Sequence, residues 1–210
     1  MPHPTLAEME KPHTQSLLSR ARGGDADAFC DLCRIHEPRL LRQAFALCGN
    51  TSQSEDLVQE TLVEAWKHLG RFHGRCQFFT WLCAILLNRH RNSLRRKRFL
   101  FLSSFGKTED DSFPDAIAQM ADDGALPDEE VQQREQAMLV RACVQALSAK
   151  HRDVILLRFY ADDSIEGIAA ALGCSVGTVK SRLFHALDKL RAMKDLTARH
   201  PDLEMKVRRP

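Results

Sequence analysis

The stretch from Ile165 to Leu190, IEGIAAALGCSVGTVKSRLFHALDKL, constrains the fold of this chain more than any other. Its apolar residues follow the spacing of one helical face twice, with Gly173 and Ser175 between the two runs. Gly173 can adopt the left-handed conformation that ends a helix, and Ser175 can cap the next helix. The pattern predicts a helix-turn-helix. The inward face of its second helix is expected to carry Val176, Val179, Leu183, Leu187 and Leu190.

The outward face of this second helix is a stripe of hydrogen-bond donors. Four of them recur at i, i+3, i+4 and i+7, and Lys180 lies to one side. The four are Thr178, Ser181, Arg182 and His185. An arginine can bind guanine in the major groove, and hydroxyls can reach phosphates or bases. The stripe therefore predicts contact with duplex DNA, and the alternative is a helical hairpin whose polar face meets only water.

The whole chain favours an all-α fold, because helical periodicity recurs along it and no strand-like alternation is present. We find no phosphate-binding glycine loop and no catalytic triad spacing, so we predict neither an enzyme site nor a cofactor. The longest apolar run, Trp81 to Leu87, is shorter than the about 20 residues that span a bilayer. The first residues lack the basic start and apolar core of a signal peptide. We expect a soluble cytoplasmic protein with reduced thiols.

Seven cysteines raise the question of a metal site. Cys30, Cys33 and His36 recur at i, i+3 and i+6 on one expected helix, and three such ligands could hold zinc. Unpaired cysteine is also a favoured core residue, and Phe29 and Leu32 belong to the same stripe. We therefore predict no metal site, while sensing of metal or redox state by the cysteines stays open.

Residues 51–72, TSQSEDLVQETLVEAWKHLGRF, predict an amphipathic helix with two distinct faces. The apolar face is expected to be buried and comprises Leu57, Val58, Thr61, Leu62, Ala65, Trp66 and Leu69. The opposite face comprises Asp56, Gln59, Glu60, Val63 and Lys67. Val63 is an apolar residue amid polar ones, which fits either an ordinary surface residue or a partner-binding face with a negative rim.

A basic run follows a predicted buried stripe formed by Phe78, Trp81, Leu82 and Ile85. The run, NRHRNSLRRKRF at residues 88–99, contains no acid that could pair with its cations, which are Arg89, Arg91, Arg95, Arg96, Lys97 and Arg98. Asn88 at its start has an amide that could read a base edge. Cations beside aromatic side chains suit the binding of unpaired DNA, and a solvated charged face is the alternative.

An acidic stretch with few aliphatic residues divides the chain into two predicted helical domains. We expect a disordered lead (1–14), a first domain (15–100), a flexible acidic linker (101–130), a second domain (131–196) and a tail (197–210). Asp25 is a predicted N-cap, and Pro38 is expected to separate a helix ending at His36 from a new one. Ser148 is expected to cap a helix that buries Phe159.

Together these segments resemble the sigma-70 family of bacterial transcription initiation factors, specifically its small extracytoplasmic-function (ECF) group. EDLVQETLVEAW (55–66) is similar to the region 2 segment that binds the clamp coiled coil of the polymerase largest subunit. Residues 78–99 resemble the part that melts and reads the minus-ten promoter element. LSAKHRDVILLRF and GCSVGTVKSRL resemble region 4, which docks at the minus-thirty-five element. Gly167 departs from a commonly acidic position, and His185 stands where arginine is frequent.

The resemblance implies a promoter-specificity factor whose partners are core RNA polymerase and promoter DNA, with an anti-sigma factor as a candidate partner. It implies polymerase binding by Asp56, Gln59, Glu60 and Val63. It implies minus-ten binding by Trp81, Asn88, Arg89, Arg91, Arg95 and Arg96, with loop 70–77 and Asn88 capturing a flipped base. It implies minus-thirty-five binding by Thr178, Lys180, Ser181, Arg182 and His185.

Two other functions fit parts of the same pattern. A sigma mimic would sequester an anti-sigma protein without binding DNA, yet it would not need Arg182 or the basic run. A stand-alone helix-turn-helix regulator would act without polymerase, but it leaves the face around Val63 unexplained. The spacing of Trp81 is more typical of a core residue than of a wedge between bases.

Overall fold

The computed structural model describes residues 6–105 and 138–199, and all the regular secondary structure in these two ranges is helical. The first range, here called the first domain, contains α1 (Leu6–Arg22), α2 (Ala26–Cys48), α3 (Thr51–His68), a short 3₁₀ helix (Leu69–Arg71) and α4 (Phe78–Phe105). The second range, the second domain, contains α5 (138–145), α6 (Ala149–Phe159), α7 (Ile165–Leu172) and α8 (Val176–Arg199). The predicted all-α fold is confirmed.

In the first domain, α2 packs against α1 and α3, and α3 packs against α4. The predicted apolar face of α3 is buried except at Trp66, which is 39% exposed and lies against the ring of Phe29 at a centroid distance of 5.0 Å. Leu82 and Leu86 of α4 are fully buried between these helices. Each such side chain contributes about 1.5–3 kcal/mol relative to exposure, so this packing holds α3 and α4 side by side.

Asp25 is the N-cap of α2, as expected from the sequence, and its carboxylate accepts the backbone N–H of Ala28 at 3.0 Å. This hydrogen bond, together with Arg20, lowers the pKa of the Asp25 carboxyl. Gly49 ends α2 in the left-handed conformation, and Asn50 caps α3 through the N–H of Gln53. Local capping therefore sets the corner between α2 and α3.

The structure differs from the sequence expectation at three helix boundaries. α2 continues through Pro38, where we expected a break. A proline inside a helix costs about 3 kcal/mol, but Leu32 and Leu40 on either side are both fully buried, so tertiary packing outweighs that cost. α1 begins at Leu6, within the expected disordered lead, and α4 runs to Phe105, into the first residues of the expected linker. Residues 106–137 and 200–210 of the expected linker, second domain and tail lie outside the described residues.

In the second domain, the expected helix-turn-helix is present as α7 and α8. Gly173 ends α7 with φ of 62°, and Ser175 Oγ accepts the backbone N–H of Thr178 at 3.1 Å, as predicted. Val179 and Leu183 are buried, while Val176, Leu187 and Leu190 are half-buried against the core. The inward face of α8 is thus confirmed, and its polar stripe is turned away from the core.

Two expectations for α6 are wrong. Ser148 occupies the N-cap position, but its side chain makes no capping hydrogen bond. Phe159 is 62% exposed because α6 ends at that residue, whereas Val154 and Leu157 one turn earlier are buried. α6 and α7 both lie against α4, so the two domains are in contact. No helix in the described ranges is long and apolar enough to cross a membrane.

Candidate nucleic-acid interface

The donor stripe of α8 forms one continuous polar face. Lys180, Ser181 and His185 are exposed, and Thr178 and Arg182 are half-buried. The Thr178 hydroxyl lies 2.8 Å from Ser175 Oγ, so the cap of the helix also orients the first residue of the stripe. All five predicted side chains therefore lie on one accessible surface, which fits the width of a major groove.

Further cations surround this stripe. The Arg182 guanidinium leans towards the preceding turn, with Nη1 4.0 Å from Cys174 Sγ. The His151 ring of α6 lies 6.4 Å from the His185 ring, and partial burial is the main cause that lowers the pKa of His151, with Lys189 adding to it. Sequence reasoning missed His151, because only the packing of α6 on α8 brings it to the stripe.

The basic end of α4 carries the predicted single-strand surface. Trp81, Asn88, Arg91 and Arg95 recur at i, i+7, i+10 and i+14, which places them on one face. Asn88, Arg95 and Arg96 are exposed, and within the described part of the chain neither of these arginines has an ion-pair partner. The side chains of Lys97 and Arg98 lie outside the described residues. The exposed arginines have their full charge available for phosphates.

Trp81 lies in an aromatic cluster at the start of α4. Its ring centroid is 5.3 Å from that of Phe72 and 5.7 Å from that of Phe78. Phe72 is buried and anchors the loop that joins the 3₁₀ helix to α4, while His73, Gly74 and Arg75 in that loop are exposed. Trp81 is half-buried, so one side of its ring packs on the core and the rest remains accessible next to the loop.

Two of the predicted DNA-binding arginines are already paired within the chain. Arg89 binds Glu60 of α3, with Nη2 2.8 Å from the carboxylate. Arg91 binds Asp153 of α6 in the second domain, with Nη1 2.6 Å from Oδ2. Burial raises the pKa of the Asp153 carboxyl, and the guanidinium of Arg91 opposes that shift. Arg91 is therefore committed to an interdomain contact in this conformation.

The outer face of α3 is the predicted partner-binding face. Asp56, Gln59, Glu60 and Val63 are all exposed, and the exposed fraction of Val63 is 53%. Trp66, one turn after Val63, is also partly exposed, although the sequence placed it in the buried stripe. Trp66 is a further candidate contact residue, and its position at the edge of the apolar face was the available signal.

The cysteine and histidine residues considered for a metal are separated by packing. The His36 ring stacks on Phe79 at 5.7 Å, and burial lowers the pKa of His36 to about 4. Burial also raises the pKa of the Cys33 thiol to about 12, whereas Cys30 is exposed. Among the described residues, no group of three or more His, Cys, Asp or Glu side chains is arranged to hold a metal ion.

Comparison with known proteins places both domains. The family model of sigma-70 region 2 matches residues 32–99, and that of sigma-70 region 4 matches residues 143–192. The RNA polymerase sigma-H factor of Pseudomonas aeruginosa is 31% identical over 187 residues, which is 84% of this chain and 91% of that protein. The ECF RNA polymerase sigma factor SigL of Mycobacterium tuberculosis is 33% identical over 177 residues, 83% of this chain and 93% of that protein.

Two solved structures are similar as well. The sigma factor RpoE in complex with the anti-sigma factor NepR from Bartonella quintana has a TM-score of 0.57 and 29% identity, and the match covers 80% of this chain and 96% of that one. CnrH in complex with the cytosolic domain of CnrY has a TM-score of 0.59 and 27% identity, and the match covers 86% and 96% of the two chains.

Proposed function

This chain belongs to the sigma-70 family of RNA polymerase sigma factors, in its ECF group, and on that premise we propose how its surfaces divide the work of promoter-specific initiation. As a sigma factor, it binds core RNA polymerase and directs that enzyme to promoters by recognising the minus-thirty-five and minus-ten elements and melting DNA. The factor performs no catalytic step of its own, since the polymerase makes the RNA.

The donor stripe of α8 is assigned to the minus-thirty-five duplex. Its five members, Thr178, Lys180, Ser181, Arg182 and His185, lie on one accessible face of the second helix of a helix-turn-helix. In that arrangement Arg182 suits a guanine edge, and Lys180 suits a phosphate. This accessible stripe, on the same chain as an unpaired basic surface, is the observation that carries the assignment.

The exposed face of α4 is assigned to the minus-ten element. Arg89, Arg91, Arg95 and Arg96 would hold backbone phosphates, and Asn88 with loop 70–77 would receive an unstacked base. Trp81 would offer its accessible side to that base. The exposed positions of Asn88, Arg95 and Arg96 support this assignment. Arg89 and Arg91 require their present ion pairs to open first.

The outer face of α3 is assigned to core polymerase, through Asp56, Gln59, Glu60 and Val63. The exposed apolar side chain of Val63, with Trp66 beside it, gives this face an apolar centre with an acidic rim. Such a combination suits an interface better than a solvated surface. Because the polymerase works on the chromosome, we place the protein in the cytoplasm. An anti-sigma factor is a further proposed partner, since relatives are known in such complexes.

Run-off transcription with purified core polymerase on a genomic fragment library tests this function. The chain should direct initiation from a subset of fragments that core alone does not use. Arg95→Ala with Arg96→Ala should weaken promoter complexes and flatten the salt dependence by about 0.7–0.9 log units per lost phosphate contact. Arg34→Ala, whose side chain pairs with Asp31 on α2, is the matched control. An unchanged salt slope in the double variant contradicts the assignment of Arg95 and Arg96.

A further inference from the structure

The start of α4 is capped by a residue of the other domain. Asp163, in the turn before α7, accepts the backbone N–H of Gln77 through Oδ2 at 2.9 Å and the N–H of Ser164 through Oδ1 at 2.7 Å. The side chain of Gln77 donates to the carbonyl of Asp162 at 3.2 Å. A carboxylate at this position meets the unpaired N–H groups and the positive end of the helix dipole, so it stabilises the contact between the domains.

Gly167 makes room for this carboxylate. A Cβ atom at residue 167 would lie 2.7 Å from Oδ2 of Asp163, which is too close for any side chain. Asp163 itself is buried and held at both oxygens, so it could not move aside without losing Gln77. Glycine inside a helix lowers helix propensity. The residue that weakens α7 is thus the one that admits the interdomain cap.

The end of α2 is capped from the second domain in the opposite sense. Arg141 of α5 donates to the carbonyl of Phe45 at 2.6 Å, and Gln145 donates to the carbonyls of Ala46 and Leu47 at 3.1 and 3.3 Å. These carbonyls belong to the last turn of α2, where the helix itself leaves acceptors unpaired. The cation of Arg141 also meets the negative end of the helix dipole. The second domain therefore caps two helix ends with charges of the matching sign.

The same contact covers part of the surface assigned to the minus-ten element. Gln77 belongs to the loop assigned to base capture, and Arg91 is held by the buried carboxylate of Asp153. The two lie 14 residues apart, which is about 21 Å along a helix. The second domain thus contacts α4 at both ends of a segment about four turns long, and it occupies one of its phosphate-binding arginines.

This arrangement is incompatible with promoter engagement. The two promoter elements are about 25 base pairs apart by name, which is about 85 Å at 3.4 Å per base pair. Domains that touch through Asp163, Arg141 and Arg91 cannot lie at both elements at once. The contacts must break before the factor can act.

We propose that this chain closes on itself, with Asp163 admitted by Gly167 as the latch, and that the closed form withholds the minus-ten surface from DNA until core polymerase opens it. The inhibitory meaning of the closure rests on the proposed function, whereas the closure itself does not. The occupant of the minus-ten surface in the free protein is then the second domain of the same chain.

Hydrogen–deuterium exchange of the full-length chain, without polymerase or DNA, tests the latch. Gly167→Ala raises helix propensity in α7 but displaces Asp163, so peptides that contain Gln77 should exchange at least about tenfold faster. Gly177→Ala is the matched control, because its Cβ would meet nothing nearer than Ser175 Oγ at 3.8 Å. It should leave exchange at Gln77 unchanged.

A second pair of variants removes the carboxylate without adding bulk. Asp163→Asn retains only one oxygen acceptor and so cannot serve both Gln77 and Ser164. Asp162→Asn is its control, since the Asp162 side chain is 89% exposed and only its backbone carbonyl contacts Gln77. Asp163→Asn should accelerate exchange at Gln77, and Asp162→Asn should not.

Binding of a fluorescein-labelled 20-mer of deoxythymidine tests the inhibition. Gly167→Ala and Asp163→Asn should bind it at least about threefold more tightly than the wild-type chain, with a steeper salt dependence because Arg91 is released. Exchange that stays slow in both variants overturns the latch. Fast exchange with unchanged affinity overturns the inhibition. Failure of run-off transcription alone would count against the proposed function and leave the latch standing.

Discussion

The carboxylate of Glu60 lies 2.8 Å from the guanidinium of Arg89, so one ion pair joins α3 to α4. Glu60 belongs to the proposed polymerase surface and Arg89 to the proposed DNA surface. The side chains are 56% and 37% exposed, and exposed pairs typically contribute about 0.2–1 kcal/mol. Polymerase that takes Glu60 would therefore free Arg89 for DNA at little cost in folding stability.

A double-mutant cycle on Glu60→Ala and Arg89→Ala separates stability from function. In urea unfolding we expect a coupling free energy below about 1 kcal/mol. In equilibrium binding to core polymerase, Glu60→Ala should weaken the complex and Arg89→Ala should not. The Asp31–Arg34 pair on α2, at 2.6 Å, is the control and should show equally small coupling without any change in polymerase binding. A loss of polymerase affinity in Arg89→Ala would contradict this division of roles.

Acid should destabilise the first domain through His36. The ring packs on Phe78 and Phe79, and Nε2 has no hydrogen-bond partner among the described residues. Burial lowers the pKa of His36 from 6.5 to about 4. The unfolded chain therefore binds this proton first, so the stability is fully present above about pH 6.5 and is lost as the pH falls towards 4. The loss reaches about 3 kcal/mol over this window.

Urea unfolding at about pH 7 and about pH 4.5 measures this effect. His36→Phe should remove most of the difference between the two values, because phenylalanine fits an aromatic site and binds no proton. His73→Phe, at an exposed loop position, should keep the wild-type difference. Equal pH dependence in the wild-type chain and in His36→Phe would show that another group titrates.

The sequence was sufficient for features that depend on one helix alone. The face of α8 follows from its periodicity, and the caps at Asp25, Gly173 and Ser175 follow from local hydrogen bonding. Pro38 was misjudged because burial of the residues on either side outweighs the cost of proline. The pairing of Arg91 could not be predicted, since its partner lies 62 residues away in another domain.

Gly167 illustrates the same limit. In the sequence it counts only as a loss of helix propensity, of about 1 kcal/mol relative to alanine. Its reason becomes visible only when the fold places Asp163 against it. The candidate surfaces were thus predictable residue by residue, but the state in which the chain holds them was not, because that state depends on contacts between segments far apart in sequence.

The turn of the helix-turn-helix should be sensitive to a single methyl group. Gly173 has φ of 62°, where a Cβ costs about 1–2 kcal/mol. Gly173→Ala should lower the free energy of unfolding by about this amount and weaken binding to a minus-thirty-five duplex, because the strain tilts α8. Gly24→Ala is the control, since Gly24 has φ of 96°, equally open surroundings and no place in the proposed surfaces. Equal loss of duplex binding in both variants would contradict a specific role for this turn.

Lys180 and Arg182 should differ in what they contribute to duplex binding. Arg182 is half-buried at the centre of the stripe beside Cys174, and its planar donors suit a base edge, so Arg182→Ala should cost about 1–3 kcal/mol and reduce discrimination at one base pair. Lys180 is exposed at the side, so Lys180→Ala should weaken all duplexes alike and reduce the salt slope by about 0.9. Fluorescence anisotropy on a set of single-base-pair variants, at several salt concentrations, measures both. Arg191→Ala, on the same helix beyond the stripe, is the control. A uniform loss for Arg182→Ala across all base pairs would show that it contacts phosphate, and base selection would then have to come from the remaining members of the stripe.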